Sequence, residues 1–253
     1  KEDISMCRNL ILRFRYTLNN AGQDLFDTEV HDVRLYVFND KGLLCSIHRT
    51  GGKELELDLQ SGHYDIVAWA GSSEDMMQGG YIAAQMTDAA THQYQTPVVG
   101  ETKISDFYML IANKLLSEEV EGDVVPTNDH FDNLFHGSLT SFDYKKGEGD
   151  RAETIDLIKN ANRLKVRVNG LEHIGITGAN IFLLGRNGRY HSDNTIGDYA
   201  RTVRYEPSQT RTAESSVEAS IRLLRLDKEF HTANPILLKI QDPITGKDIF
   251  TPI

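Results

Sequence analysis

A chain of 253 residues, 40% hydrophobic and 25% charged, is long enough to bury one large or two ordinary cores without disulfide or metal staples. Its formal net charge of -10 argues against a nucleic-acid backbone as partner, which needs a basic footprint. No apolar run approaches the roughly 20 residues of a membrane-spanning helix. The charge is uneven, with 12 Lys and Arg against 24 Asp and Glu in residues 1–148 and 15 against 13 in residues 149–253. This asymmetry, together with the linker-like Lys145 to Asp150, predicts two domains, 1–148 and 149–253. It also suggests oppositely charged surfaces that could orient an assembly, although solvated faces explain it more simply.

From Arg8 to Leu18 the pattern alternates, with Leu10, Leu12, Phe14, Tyr16 and Leu18 on one face, which predicts a first strand. Val33 to Phe38 reads as a second, ended at Asn39-Asp40-Lys41-Gly42 by residues that tolerate left-handed backbone, and Leu43 to His48 pairs back against it. In the next stretch Leu55, Leu57 and Leu59 alternate with Glu56, Asp58 and Gln60, Ser61-Gly62 breaks the run, and Tyr64 to Ala70 returns. This predicts a hairpin with Gly62 supplying positive φ. Leu55, Leu57, Leu59, Tyr64 and Trp69 are expected to build the first sandwich's core.

Gly71 to Gly100 reads as a long connection with short strands, its Met76 and Met77 filling gaps. Ser105-Asp106 could cap a short helix with the stripe Phe107, Leu110, Ile111 and Leu115, the alternative being a strand over Ile104 to Ile111. Glu118 to Asp123 is an acidic loop, and a β segment runs from Leu134 to Tyr144. Beyond the linker the pattern resumes through Ile155, Leu157, Leu164, Val166 and Val168 to an Asn169-Gly170 turn. Ala179 to Leu184 and Arg189 to His191 flank Gly185-Arg186-Asn187-Gly188, a strong hairpin signal. Thr202 to Tyr205, Ala219 to Leu226, Ile236 to Ile240 and Asp248 to Phe250 complete a second set, the last two joined at Pro243-Ile244-Thr245-Gly246. The expected fold class is all-β: two sandwiches of Greek-key-like antiparallel sheets with room for one short helix.

No chemistry emerges from motif spacing. The densest metal-capable group, Asp129, His130, Asp132 and His136, lacks the spacing that sets two imidazoles on one helical face and reads as loop. There is no Gly-x-Ser-x-Gly elbow, and Gly51-Gly52 and Gly79-Gly80 are not phosphate loops. Glu54, Glu56 and Asp58 lie on a wet sheet face. The expectation is a protein without catalytic residues, cofactor or metal. Cys7 and Cys45 allow either a disulfide, stabilising by roughly 4 kcal/mol in the chain-entropy model, or two unrelated buried thiols.

Taken in order, several segments resemble one family. They are Asp3-Ile4-Ser5-Met6-Cys7, Leu12 to Tyr16, Val33 to Gly42, Gly62-His63-Tyr64 with Val67-Ala68-Trp69-Ala70, Asn133-Leu134-Phe135-His136-Gly137 and Ile221-Arg222-Leu223. The chain is similar along nearly its whole length to the FimB-like fimbrial anchor and accessory subunits of Bacteroidales. That resemblance implies two transthyretin-like β-sandwich domains and a place at the cell surface as an outer-membrane lipoprotein, with the lipidated cysteine just upstream of Lys1. It implies fimbrial pilin subunits as partners, docked by strand addition. Family members continue with strand-forming sequence beyond Phe250-Thr251-Pro252-Ile253, and a strand missing there would leave an open, accepting edge. The alternative is a surface lipoprotein that binds glycans for nutrient capture.

Overall fold

Period-two alternation becomes strand along most of the chain. The computed structural model describes residues 9–78, 80–89, 93–111, 124–126, 132–147, 151–197, 201–213 and 216–250. In chain order the first strands are β1 (Leu10–Arg15), β2 (Asp32–Asn39), β3 (Leu44–Thr50), β4 (Glu54–Leu57), β5 (Gly62–Gly71), β6 (Tyr81–Asp88) and β7 (Gln93–Gln95). They continue with β8 (Phe107–Ile111), β9 (Val124–Pro126), β10 (Leu134–Tyr144), β11 (Arg151–Asp156), β12 (Ile158–Lys159), β13 (Ala161–Asn169) and β14 (Asn180–Gly185). The last are β15 (Arg189–His191), β16 (Ile196–Gly197), β17 (Thr202–Tyr205), β18 (Pro207–Ala213), β19 (Ser216–Leu224), β20 (Leu237–Gln241) and β21 (Asp248–Phe250). The helices α1 (Phe26–Glu29) and α2 (Lys228–Ala233) are short. Asp24 accepts from the Phe26 amide at the start of α1, and Asp227 caps α2 by accepting from the Phe230 amide.

The chain divides into two compact units, Lys1–Leu110 with Asp132–Asn160 and Tyr190–Thr195, and Ile111–Phe131 with Ala161–Arg189 and Ile196–Ile253. The cut expected after Glu148 falls inside the first unit. There β11 returns to pair in parallel with β1, Leu10 opposite Arg151 through Arg15 opposite Asp156.

In the first unit a three-stranded sheet, β11-β1-β4, packs on a five-stranded one, β12-β10-β5-β2-β3. Leu10, Leu12, Phe14 and Leu57 from the former and Val33, Leu35, Ile66 and Phe135 from the latter share one buried core. The five-stranded sheet is also covered on its other face, where β15, β8, β6 and β7 lie side by side as a third sheet. Phe107 of β8 sits 4.6 Å from the Tyr36 ring and 5.5 Å from Phe38, and Tyr190 of β15 is 5.9 Å from Trp69. Burial on both faces explains why β2 and β5 read as nearly continuous apolar runs.

This layering overturns the hairpin expected over Leu55 to Ala70. β4 pairs with β1, Leu57 opposite Leu10, whereas β5 pairs with β10 and β2. Ser61 therefore lies in an arch between two layers, and Gly62 opens β5 without the positive φ assigned to it. Alternation marks each strand but does not say whether neighbours pair edge to edge or face one another across a core. Trp69 is likewise in a different core from Leu55, Leu57, Leu59 and Tyr64. Five positions separate it from Tyr64, an odd number, so it points to the opposite face, fully buried beneath the third sheet.

Three other expectations change. Ile104 to Ile111 is a 3-10 turn followed by β8, the strand alternative, because all five β8 side chains are buried and a helix would bury one stripe. Gly71 to Gly100 holds an eight-residue strand, β6, and its Met76 is fully buried. Asn187-Gly188 turns no hairpin: β14 pairs with β17 and β20, β15 joins the third sheet, and neither residue adopts positive φ. Asn187 is instead a buried tether that accepts from the Tyr205 hydroxyl at 2.8 Å and donates to the carbonyls of Leu224 and Arg225.

The second unit holds a three-stranded sheet, β13-β19-β18, and a five-stranded one, β21-β20-β14-β17-β9. Asn169-Gly170 turns as expected, with Gly170 at φ 77°. β20 and β21 form the expected terminal hairpin, Gly246 supplying φ 68°.

Candidate functional site

A protein that docks a strand needs an edge whose backbone is unpaired and whose apolar row is not already covered. Among the described residues β13 has both properties. It stands at the end of its sheet, paired antiparallel on one side with β19 from Ala161 opposite Leu224 to Asn169 opposite Ser216. Along β19 the inner row, Val217, Ala219, Ile221 and Leu223, is buried to 2% exposure or less. Their neighbours on β13 are not: Val168 and Val166 are half-buried and Leu164 is 39% exposed. The apolar floor thus emerges toward solvent at the edge strand.

The outer row of β13 is Arg163, Lys165 and Arg167, all exposed. Among the described residues none of the three makes an ion pair or side-chain hydrogen bond. Register places them opposite Arg222, Ser220 and Glu218, and Arg211 of β18 lies opposite Glu218 from the other side. Among the described residues this face therefore carries five basic side chains and one acidic one, on a chain whose net charge is -10.

β18, seven residues long, is the opposite edge of the same sheet, and β3, also seven residues, is an edge of the first unit that is partly occupied. The Leu44 amide donates to Thr102, and the Gly100 amide donates to Leu44. Further along, Arg49 reaches back to Asp32 at 2.6 Å. Asp32, 1% exposed, also accepts from the Met76 amide, and Arg34 bridges it to Asp75, so this network fastens the Ser72 to Gln78 connection onto β2 and β3. Such pairing marks structure, not a vacant surface.

The other singled-out residues are structural as well. Leu57, Leu59 and Tyr64 are buried in the first core and Leu55 packs against it. Asp132 accepts from Ser72, Ser73 and Asn133, and the buried His136 donates from Nε2 to the Ser192 carbonyl at 2.9 Å beside the Trp69 ring. Cys45 carries a thiol that donates to the Val37 carbonyl at 3.2 Å, its pKa raised by burial. Cys7, Glu118 to Asp123, Asp129 and His130 lie outside the described residues. Sequence reasoning marks the inner row of β13 as strand but does not single out its outer row. The signal is present in Arg163-Leu164-Lys165-Val166-Arg167, where every polar position is basic.

A model of the family described as fimbrillin-A associated anchor proteins Mfa1 and Mfa2 matches residues 3–253. The chain belongs to this family of fimbrial anchor proteins of Bacteroidales. Solved structures share the fold. The fimbrial anchor protein Mfa2 from Porphyromonas gingivalis superimposes with a TM-score of 0.66 at 19% identity, over 97% of this chain and 81% of that one. A candidate adhesin from Bacteroides ovatus gives 0.73 at 17% identity over 97% and 77%. A candidate polysaccharide-binding protein from Bacteroides thetaiotaomicron gives 0.71 at 19% over 96% and 79%. Among curated protein sequences nothing matches this chain. Family membership points to a fimbrial role at the cell surface, and no catalytic family is indicated.

Proposed function

We propose that this chain is a non-catalytic anchor or accessory subunit of a fimbrium, held at the outer membrane by lipid attached upstream of Lys1, and that it docks a pilin by accepting one extended segment as a strand along β13. The observation that carries the reading is the edge itself: a nine-residue strand that among the described residues is paired on one side, with Leu164, Val166 and Val168 only partly covered. A strand added there would complete the main-chain ladder and shield that row. Family membership supports the fimbrial context. The glycan reading gains no support from Trp69 and Tyr64, aromatic types that can serve as sugar platforms, because both are packed inside the first unit at 0% and 8% exposure.

The test is capture of the producing cell's own pilin subunits, purified singly, by the wild-type chain and by a Leu164→Asp, Val166→Asp variant checked for unchanged circular dichroism. Capture by the wild type and its loss in the variant are expected. A wild type that retains no pilin, or a variant that retains it equally, would sink the reading. The lipid is checked separately by the intact mass of the protein extracted from membranes, where added acyl mass is expected.

A further inference from the structure

The first unit contains a strand of the same pattern as β13, with its neighbours in place. Leu12-Arg13-Phe14-Arg15 of β1 and Leu164-Lys165-Val166-Arg167 of β13 both alternate an apolar inner row with a basic outer one. β1 lies in the middle of its sheet and each outer cation meets an acid from an adjoining strand. Arg13 pairs with Glu54 of β4 at 2.7 Å, and Arg15 makes a two-pronged contact with Asp156 of β11, one arm at 3.0 Å. The flanking strands also bring apolar residues, Leu55 and Leu57 from β4 and Ile155 from β11, to the core side. β4, as Glu54-Leu55-Glu56-Leu57, is thus the alternating acid and apolar complement of a basic strand.

β13 has β19 on one side, which sets Arg222, Ser220 and Glu218 against Arg163, Lys165 and Arg167. On its other side no described strand supplies an acid. We infer that the strand accepted by β13 is an extended segment of another protein with alternating acidic and apolar residues, its acids beside Arg163, Lys165 and Arg167 and its apolar side chains over Leu164, Val166 and Val168. This rests on the docking reading above and adds to it the chemistry of the partner. The cations would also oppose pairing of the edge with a copy of itself: two β13 strands side by side would align like charges, which is how natural sheets keep open edges from aggregating.

The experiment uses three labelled ten-residue peptides, alternating Glu-Val, Ser-Val and Lys-Val, titrated against the full chain at low and physiological salt with fluorescence anisotropy. The partner chain is the wild type or the combined Arg163→Glu, Lys165→Glu, Arg167→Glu variant. Three rim ion pairs, each contributing a few-fold, predict that Glu-Val binds roughly tenfold more tightly than Ser-Val at low salt, with the gap narrowing as salt rises. The charge-reversed chain should prefer Lys-Val, an outcome that also shows it has folded. Equal binding of Glu-Val and Ser-Val overturns the acidic preference and leaves strand docking standing. Capture of pilin with no peptide preference reversed by the variant overturns it too, by placing the pilin elsewhere. Self-association of the wild type that the charge reversal abolishes would assign the edge to a second copy and overturn it as well.

Discussion

β1 and β13 are written in nearly the same residues and meet opposite fates. Both set Leu and a second apolar residue inward and two basic residues outward, yet Phe14 is 2% exposed whereas Val166, its counterpart, is only half-buried. The difference lies in what arrives from elsewhere in the chain. β1 receives β4 in antiparallel register and β11, more than a hundred residues later, in parallel register. β13 receives β19 alone, and its outer edge faces no described strand. A basic, alternating strand is therefore neutral information by itself. Flanked by acids it is the centre of a sheet, and left open it is the edge proposed above as an acceptor.

The largest test of that contrast is at the matched apolar positions. Phe14→Ala removes a ring from a closed core and is expected to destabilise by about 3–5 kcal/mol in urea unfolding. A loss under about 1 kcal/mol would show that the β1 core is no better packed than the β13 edge and would break the comparison. Next in size is Gly137→Ala. A Cβ on Gly137 would lie 2.5 Å from Ile155 Cγ2 and 2.8 Å from the Asp156 carbonyl, where β11 leaves β1 and crosses toward the five-stranded sheet. Overpacking of this kind costs about 1–3 kcal/mol. It should unseat β11 first, which earlier hydrogen exchange of the Arg151–Asp156 amides would reveal.

Individual strands are legible in the residues themselves. Alternation locates β1, β2, β3, β10 and β17 and the terminal hairpin because a half-buried strand leaves a local trace in sequence. What sequence does not supply is which strand lies beside which. Leu55 to Ala70 reads as a hairpin because a polar break between two strands is the same whether the chain turns within a sheet or arches between sheets. Asn187-Gly188 misleads for a related reason: the asparagine is placed by a buried hydroxyl and two carbonyls distant in sequence, not by its own backbone preference. The third layer leaves no clear trace because β8 can be read as a helix and β6 lies inside what reads as a connection. Of the candidate site, the inner row of β13 is readable as strand, but its openness depends on having no described strand on its other side, and no local pattern records that.

A smaller effect separates the two strands by pH. The Arg15 guanidinium, donating to Asp156, holds that carboxyl below the ordinary carboxylate range. A carboxyl lowered in the folded state contributes stability that is complete above its unfolded value of about 3.9 and is lost as pH falls through its folded value. Acid should therefore loosen the β1 and β11 pairing, and Asp156→Asn should flatten the decline in stability below about pH 4. Lys165→Ser on β13 should leave that acid limb unchanged, because Lys165 has no described carboxylate beside it. An identical change of slope in both variants would show that the ion pair does not distinguish them.

The smallest effect on stability is expected at the proposed acceptor strand, and it is the most informative. Val166→Thr keeps the shape of a half-buried edge residue and adds one hydroxyl, so unfolding should shift by about 0.5 kcal/mol or less, in contrast to the several kcal/mol at Phe14. If β13 is an acceptor, the same hydroxyl would lie under an incoming strand, desolvated on binding, and pilin capture should weaken although the free protein is unharmed. A residue nearly silent in folding and audible in docking is what an open edge requires. Were Val166→Thr to destabilise the free chain as strongly as Phe14→Ala, β13 would already be covered in solution, and the site of pilin docking would have to be sought on another edge.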